Sequence, residues 1–254
     1  MLNNTTLQIK FRQRLNKLAS NDYDNIECWQ IVEAFNKAQI EWCRRQLHGN
    51  NIFKEGDEMS KRRIDDLQPL LTTLGLTGVE DVNFFEANNF PADYFEYKRV
   101  DTEAVTKCCP YKKVSNEVLI GDTLTTVTNN VGRDMTVYLS EEANVDLIMR
   151  DPLKRPDFEW GETYCTFMGN RIRIYRRDFN IINPTLTYYR RPREIQIQGC
   201  SDPYNLGISG ANVTCEFKDD IAEIIIDEAC GIIAGDINDV NNYMRGSQQG
   251  EKNN

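Results

Sequence analysis

The spacing of apolar residues changes twice along the chain, and these changes restrict the possible folds more than any other feature of the sequence. Apolar side chains recur at helical spacing in residues 3–18, 24–48 and 57–74, and again in residues 218–244. From about residue 97, apolar and polar residues alternate as they do in strands. The sequence therefore predicts an α+β fold. The N-terminal helices and a long C-terminal helix form a helical bundle, with a β-rich insertion in the middle.

The predicted domain organisation follows from these segments. Its parts are the N-terminal helical part of the bundle (1–96), a β-rich insertion with a hairpin and a long loop (97–214), a C-terminal helix returning to the bundle (215–245) and a flexible tail (246–254). Within the first part, a short helix with Pro91 in its first turn is expected at residues 90–95.

The segment 24–48 is the strongest helix prediction, and it is apolar on two opposite faces. The two faces consist of Ile26, Trp29, Val32, Ile40, Cys43 and Leu47, and of Ile31, Phe35, Ala38 and Trp42. A helix that is apolar on two sides must be covered on two sides, either by its own chain or by a neighbouring subunit. We therefore expect Trp29, Phe35 and Trp42 to make bundle or subunit contacts.

The clearest strand signal is a hairpin. Residues 162–168 and 171–176 are separated by Gly169 and Asn170, a pair that favours a two-residue turn. A third strand at 185–191 is expected to extend this hairpin into a meander, and the residues 192–214 are predicted to be a long loop.

Composition and motifs argue against several classes of function. The chain has 30 Lys and Arg against 39 Asp and Glu, a formal net charge of −9, which disfavours general nucleic-acid binding. It has one histidine, no phosphate-binding glycine motif and no nucleophile-elbow motif. Asp65-Asp66 and Asp219-Asp220 are interpreted as helix surface, since adjacent helical residues do not converge on one ion. We expect no catalytic site, no cofactor, no metal and no membrane segment.

The eight cysteines contain no C-x-x-C pair, and no secretory leader is recognisable at the N-terminus. This pattern is typical of reduced thiols in a cytosol, packed as small apolar residues or lying at the surface.

Charge is distributed unevenly along the second half of the chain. Residues 171–193 hold one acid and seven arginines, which are Arg171, Arg173, Arg176, Arg177, Arg190, Arg191 and Arg193. Residues 216–254 hold nine acids and three bases. The two segments could pair within the monomer, dock head to tail between copies, or leave the arginines to line a channel for DNA. The arginines are thus candidates for a subunit or lumen interface.

Several segments together resemble one family of proteins. The most specific is Arg155-Pro156-Asp157-Phe158-Glu159-Trp160, within residues 151–160. The other segments that share the resemblance are 25–38, 90–95, 169–175, 186–192 and 217–242. Their succession resembles the head-to-tail connector (adaptor or ring) proteins of podovirus-like tailed phages, and most of all the structural virion proteins of crAss-like phages.

The resemblance implies a structural virion protein that is not an enzyme and holds no cofactor. It implies a homo-oligomeric ring, expected to be a dodecamer, that joins the capsid portal to the tail and extends the DNA channel. The implied partners are the portal protein, neighbouring copies, other tail or ring proteins and, transiently, genomic DNA, with no membrane. The ring would assemble in the host cytoplasm and remain at the portal vertex of the virion. Tyr243, Met244 and Arg245 are the candidate portal contacts.

Three alternatives remain open at this point. A lower tail ring or a stopper protein would use the same fold elements at another position in the tail. A small cytosolic enzyme would require a site that carries no recognisable motif. A nucleic-acid-binding protein would use the arginines of residues 171–193.

Overall fold

The computed structural model describes residues 3–15, 26–48, 65–106, 132–200 and 212–236, the backbone of 114–120 and 123–129, and residues 244 and 248. The chain divides into two compact units. We call Met1–Leu70 with Arg191–Asn254 the helical unit and Leu71–Arg190 the sheet unit.

In chain order, the helices and strands are α1 (Asn4–Leu15), α2 (Cys28–His48), β1 (Leu71–Gly75), β2 (Gly78–Glu80), β3 (Phe84–Ala87), β4 (Tyr94–Thr106), β5 (Val114–Ile120), β6 (Thr123–Asn129), β7 (Arg133–Leu139), α3 (Val145–Arg150), β8 (Glu162–Met168), β9 (Arg171–Tyr175), β10 (Phe179–Arg190) and α4 (Asp219–Asp236). Short 3-10 turns precede β1 at Gln68–Leu70 and α3 at Glu142–Asn144.

The helical unit is built by the apolar faces of α1, α2 and α4. Its largest fully buried side chains are Leu7, Phe11, Ile31, Phe35, Leu67, Leu70, Ile195 and Phe217. The Trp42 ring meets the Phe217 ring edge-on at 5.2 Å between centroids. The predicted helix at 24–48 is confirmed from Cys28 to His48 because its i, i+3, i+4 spacing places Ile31, Phe35 and Trp42 on one buried face.

The sheet unit contains a curled mixed sheet, a half-barrel of eight strands in the order β1-β10-β4-β7-β8-β9-β3-β2. Its described neighbours run antiparallel except β7 and β8, which are parallel. The strands β5 and β6 form a separate two-stranded sheet. The core of the half-barrel includes Val100, Ala104, Cys165, Ile172, Ile174, Phe179 and Leu186.

The predicted fold class, a helical bundle with a long C-terminal helix and a β-rich insertion, is wrong. The strands form an eight-stranded sheet with a core of its own, and α4 is described over Asp219–Asp236. The rest of the helix predicted for 218–244 lies outside the described residues apart from the helical Met244.

Two predicted helices are also corrected. In the segment predicted as a helix over 57–74, Leu71–Gly75 forms β1 and pairs with β10. In the segment 90–95, Tyr94 begins β4, which continues to Thr106. Both segments have apolar residues that fit a helix locally, but pairing with β10 satisfies the backbone of β1 and of β4 along their lengths.

The hairpin at Gly169 is confirmed, while the meander is wrong. The register pairs Met168 with Arg171, and the positive φ of Gly169 (60°) fits the tight turn. The free edge of β9 is taken by β3 rather than by the next strand along the chain. The strand β10 lies instead between β1 and β4.

The expectation that all cysteines are thiols is wrong as well. Cys28 and Cys200, 172 residues apart in the sequence, form a disulfide within the helical unit. The other described cysteines, Cys43, Cys165, Cys215 and Cys230, are thiols, whereas Cys108 and Cys109 lie outside the described residues. Sequence spacing could not reveal the pair, because the fold alone brings its two halves together. Within the described ranges, no helix is both long and apolar enough to span a bilayer.

Candidate functional site

The connection from β7 to β8 is a crossover between parallel strands that contains a largely exposed helix. Because these neighbouring strands run parallel, the chain must cross from the end of one to the start of the other, through residues 140–161. This crossover contains α3, none of whose six residues is buried. Val145, Ile148 and Met149 are half-buried, whereas Leu147 is 69% exposed and available for contact with another surface.

Backbone hydrogen bonds nevertheless define the shape of the crossover after α3. The Asp151 amide donates to the Leu147 carbonyl (3.1 Å), and the Asp151 carboxylate accepts from the Leu153 amide (2.9 Å). A second aspartate repeats this arrangement, since Asp157 Oδ1 accepts from the amides of Glu159 (2.7 Å) and Trp160 (3.1 Å). Aspartate side chains that bind backbone two residues ahead stabilise turns of this kind.

The motif Arg155–Trp160 contains one buried aromatic side chain, Phe158, and one exposed aromatic side chain, Trp160. Phe158 is 4% exposed, and its ring lies 6.5 Å from the Phe179 ring and 5.9 Å from the Arg133 guanidinium. Trp160, two residues later, is 60% exposed. The buried ring fixes the loop to the core, so that the loop presents the indole at a defined position.

Trp160 belongs to a larger set of exposed apolar side chains in the same part of the chain. We call this set the crossover surface: Tyr138 (44% exposed), Leu139 (50%), Leu147 (69%), Leu153 (70%) and Trp160 (60%). Residues 138–162 also carry seven acids and three bases, so that this segment of the chain is acidic. Exposed apolar groups with polar neighbours are typical of protein interaction sites.

The arginines of β9 are occupied by acids of the sheet unit. Arg171 and Arg173 both donate to the Glu86 carboxylate, at 2.5 and 2.7 Å. Hydrogen bonds from Arg173 and Arg171 lower the pKa of Glu86 below its ordinary value. The Arg173 guanidinium also stacks over the Phe84 ring at 4.7 Å.

Arg176 has a structural environment. It is 5% exposed and donates to the Asp81 carbonyl (2.9 Å), the Glu80 carboxylate (2.9 Å) and the Asn180 side chain (2.8 Å). This guanidinium fixes the turn between β2 and β3 to the end of β9.

The remaining four candidate arginines are spread over both units. Arg177 is exposed and Arg190 is half-buried in the sheet unit, whereas Arg191 and Arg193 are exposed in the helical unit. The structure thus brings Arg171 and Arg173 together at Glu86 and does not join all seven into one described cluster. Their role at a subunit or lumen interface stays a prediction.

Three acids of α4 likewise form ion pairs within their own unit. Glu223 pairs with Lys10 and Arg14, and the Arg14 guanidinium also lies 3.0 Å from Asp227. Glu228, which is nearly buried, pairs with Arg45 of α2. Three of the seven arginines and three of the α4 acids therefore have ion-pair partners inside their own unit.

The candidate contact residues of α2 lie on different faces. Phe35 and Trp42 are buried in the helical unit. Trp29 is half-buried, and its indole donates to the Glu27 carboxylate. Among the candidate portal contacts, Met244 is 57% exposed, whereas Tyr243 and Arg245 lie outside the described residues.

An aromatic cluster lines part of the sheet unit without being a sequence-predicted site. The Phe167 ring lies 5.4 to 6.2 Å from those of Phe90, Tyr94 and Tyr97. Burial raises the pKa of Tyr94 and of Cys165, each to about 12. These groups are therefore neutral at physiological pH and contribute to packing. No group of three or more metal-ligating side chains occurs among the described residues.

Sequence reasoning did not single out the crossover surface, although Trp160 stood in a noted motif. The sequence feature that indicates this surface is the series Leu147, Leu153 and Trp160, in which Asp and Pro residues interrupt the apolar ones. Asp and Pro favour turns, so these apolar residues cannot form one continuous face of a helix or strand. Similarity to known proteins adds no further signal for this surface. No protein-family model matches the chain, and no curated protein is similar to it in sequence.

Proposed function

We propose that this protein is a subunit of a ring that joins the capsid portal to the tail of a podovirus-like phage and extends the DNA channel. The observation that carries the proposal is the crossover surface: five large apolar side chains at the end of β7 and on a crossover that is hydrogen-bonded into a fixed shape. The crossover includes the motif with the most specific resemblance to phage connector proteins. Assembly into a ring provides a cover for these side chains.

The energetics of such a cover favour assembly. Full burial of a Leu or comparable side chain contributes about 1.5–3 kcal/mol relative to exposure. Burial of several such groups offsets part of the cost of association, which is about 4–15 kcal/mol. Repetition of the contact around a closed ring holds each copy through two neighbours.

The pairing of charges inside each unit determines which contact drives the assembly. Glu86 is already bonded to Arg171 and Arg173, and Glu223 to Lys10 and Arg14. Docking of one copy's arginines on another copy's α4 acids would first break these pairs. We therefore assign the ring contact to apolar burial, while the net charge of −9 keeps free copies apart.

The other partners follow from the same proposal. The ring binds the portal protein on one side and other tail or ring proteins on the other, and it contacts genomic DNA transiently during passage. It belongs to the portal vertex of the virion and acts without catalysis or cofactor.

Native mass spectrometry of the purified protein, alone and mixed with the portal protein of the same genome, tests this function. We expect a monomer alone and a defined multiple, such as a dodecamer, on the portal. A monomer that ignores the portal would contradict the proposed position in the virion. A stable complex with a lower tail protein instead would favour the lower-ring alternative.

A further inference from the structure

The disulfide of the helical unit joins α2 to the stretch of chain that follows β10. Cys28 is the first residue of α2, and Cys200 lies ten residues after Arg190, the last residue of β10. The Cα atoms of the two cysteines are 5.4 Å apart. The Gln8 side-chain amide of α1 donates to the Cys200 sulfur at 3.2 Å. The bond therefore fastens this segment beside the first helix and to the start of the second.

Hydrogen bonds hold the same segment in place independently of the disulfide. Asn36 of α2 exchanges two hydrogen bonds with the backbone of Ile195, at 2.8 and 3.3 Å. Gln39, one helical turn further on, donates to the Arg193 carbonyl at 3.3 Å. The buried Asn4 amide donates to the carbonyls of Gln196 (2.9 Å) and Val213 (3.2 Å).

None of these hydrogen bonds involves the sulfur atoms, so they can hold residues 193–196 beside α1 and α2 in the reduced chain as well. Side-chain amides of α1 and α2 position the backbone of 193–196, and Cys200 follows four residues later. The Cys200 amide donates to the Ile197 carbonyl at 3.0 Å, which closes a turn at this point. A folded, reduced chain thus presents Cys28 and Cys200 to each other at high effective concentration.

The pair is also more accessible than three of the four other described cysteines, while Cys230 is half-buried like the pair. Cys28 and Cys200 are half-buried, whereas Cys43, Cys165 and Cys215 are fully buried. Burial raises the pKa of Cys43 well above its ordinary value and that of Cys215 to about 11. Because the thiolate is the reactive form, these buried thiols are protected from exchange.

We propose that Cys28 and Cys200 form a reversible oxidation site. They are two thiols while the subunit folds and assembles in a reducing cytoplasm, and a disulfide once the particle is exposed to an oxidising medium. The timing rests on the proposed function, whereas the oxidation itself depends only on the geometry of the helical unit. The oxidant is a small-molecule disulfide of the glutathione class.

The chemistry is two successive thiol–disulfide exchanges. One protein thiolate attacks the small disulfide, forms a mixed disulfide and releases the first small thiolate. The second protein thiolate then attacks the protein sulfur of the mixed disulfide, forms Cys28–Cys200 and releases the second small thiolate. The protein loses two electrons and two protons, and the small disulfide is reduced to two thiols.

Oxidation adds a covalent bond between α2 and the stretch 191–200, which hydrogen bonds already hold together. The link closes a loop of 172 residues in the sequence, so that it removes many conformations from the unfolded chain. The folded helical unit changes little, because the segment is already in position. Oxidation therefore stabilises the finished subunit without being needed for folding.

Peptide mapping by mass spectrometry without reduction tests the oxidation site. The full-length protein is incubated with dithiothreitol or with oxidised glutathione, and thermal unfolding is followed in parallel. We expect a linked Cys28–Cys200 peptide only after oxidation, with a rise in Tm of about 5–10 °C. Cys28→Ser should lose both responses, and the matched control Cys230→Ser should keep both.

The proposal would be overturned by the absence of a linked peptide, by a link that joins other cysteines, or by an equal rise in Tm for Cys28→Ser. A reduced chain that fails to fold would also contradict it, because folding is placed before oxidation. Portal binding is measured separately by native mass spectrometry. Loss of portal binding with an intact redox response rejects the virion role and the timing, but it leaves the oxidation site standing.

Discussion

The two compact units of this chain use their charged and apolar side chains differently. In the helical unit, acids of α4 pair with bases of α1 and α2, and a disulfide adds a covalent link. The sheet unit also pairs its β9 arginines internally, but it exposes the crossover surface. The comparison shows that Arg171, Arg173, Glu223 and Glu228 are each paired within their own unit. We therefore place the proposed assembly contact on the crossover surface of the sheet unit.

The largest expected effect separates the anchor of the crossover from its exposed group. Phe158→Ala should destabilise the protein by about 3–5 kcal/mol, because it empties a core position beside Phe179. Trp160→Ala, two residues away, should change stability by no more than about 0.5 kcal/mol. Urea unfolding followed by circular dichroism measures both. Similar losses for the two variants would show that Trp160 is part of the core.

The second effect concerns the nearly buried ion pair of the helical unit. Glu228→Ala leaves Arg45 without its partner at the contact of α2 and α4, so we expect a loss of about 3 kcal/mol. Asp236→Asn, at the exposed end of α4, is the matched control and should stay within about 0.5 kcal/mol. Equal unfolding free energies for the two variants would show that the pair is solvated.

The third effect tests the exposed surface rather than the interior. Leu153→Asp should weaken ring assembly about 10- to 100-fold, because each copy would then bury an unpaired carboxylate at the contact. Val82→Asp is the matched control, since Val82 is 73% exposed against 70% for Leu153 and lies in the same unit. Native mass spectrometry titrations provide the comparison. Equal weakening by both variants would mean that added charge alone, not the crossover surface, controls assembly.

The smallest effect is a pH dependence at Glu86. Its pKa is lowered in the folded state by Arg173 and Arg171, so its stabilising contribution is present above the ordinary carboxyl pKa. The contribution is lost as the pH falls through the lower, folded-state value. Wild type should therefore exceed Glu86→Gln in unfolding free energy at pH 7, and this difference should shrink below about pH 4. A difference that is constant with pH would contradict the assignment.

Local signals explain which parts of the fold the sequence predicts. The hairpin depends on Gly169 and on the alternation of Ile172 and Ile174, and both are encoded within a few residues. The helix α2 likewise follows from its own spacing of apolar residues. Such elements need no knowledge of distant partners.

Non-local pairing explains what the sequence did not predict. No residue near Leu71–Gly75 indicates that this segment pairs with β10. Likewise, no residue near Arg171 indicates that its guanidinium donates to Glu86. The same holds for Cys28 and Cys200. The pairing of Arg171, Arg173 and Arg176 with Glu86 and Glu80 could not be read from the sequence either, because these acids come from β3 and β2, about 90 residues earlier.

Hydroxyl-radical footprinting of the free protein and of its complex with the portal shows whether assembly covers the crossover surface. We expect oxidation of Trp160 and Leu153 to fall several-fold in the complex, while oxidation of Val82 is unchanged. A defined complex in which Trp160 and Leu153 stay as reactive as in the free protein would contradict it, since the crossover surface would then remain uncovered after assembly.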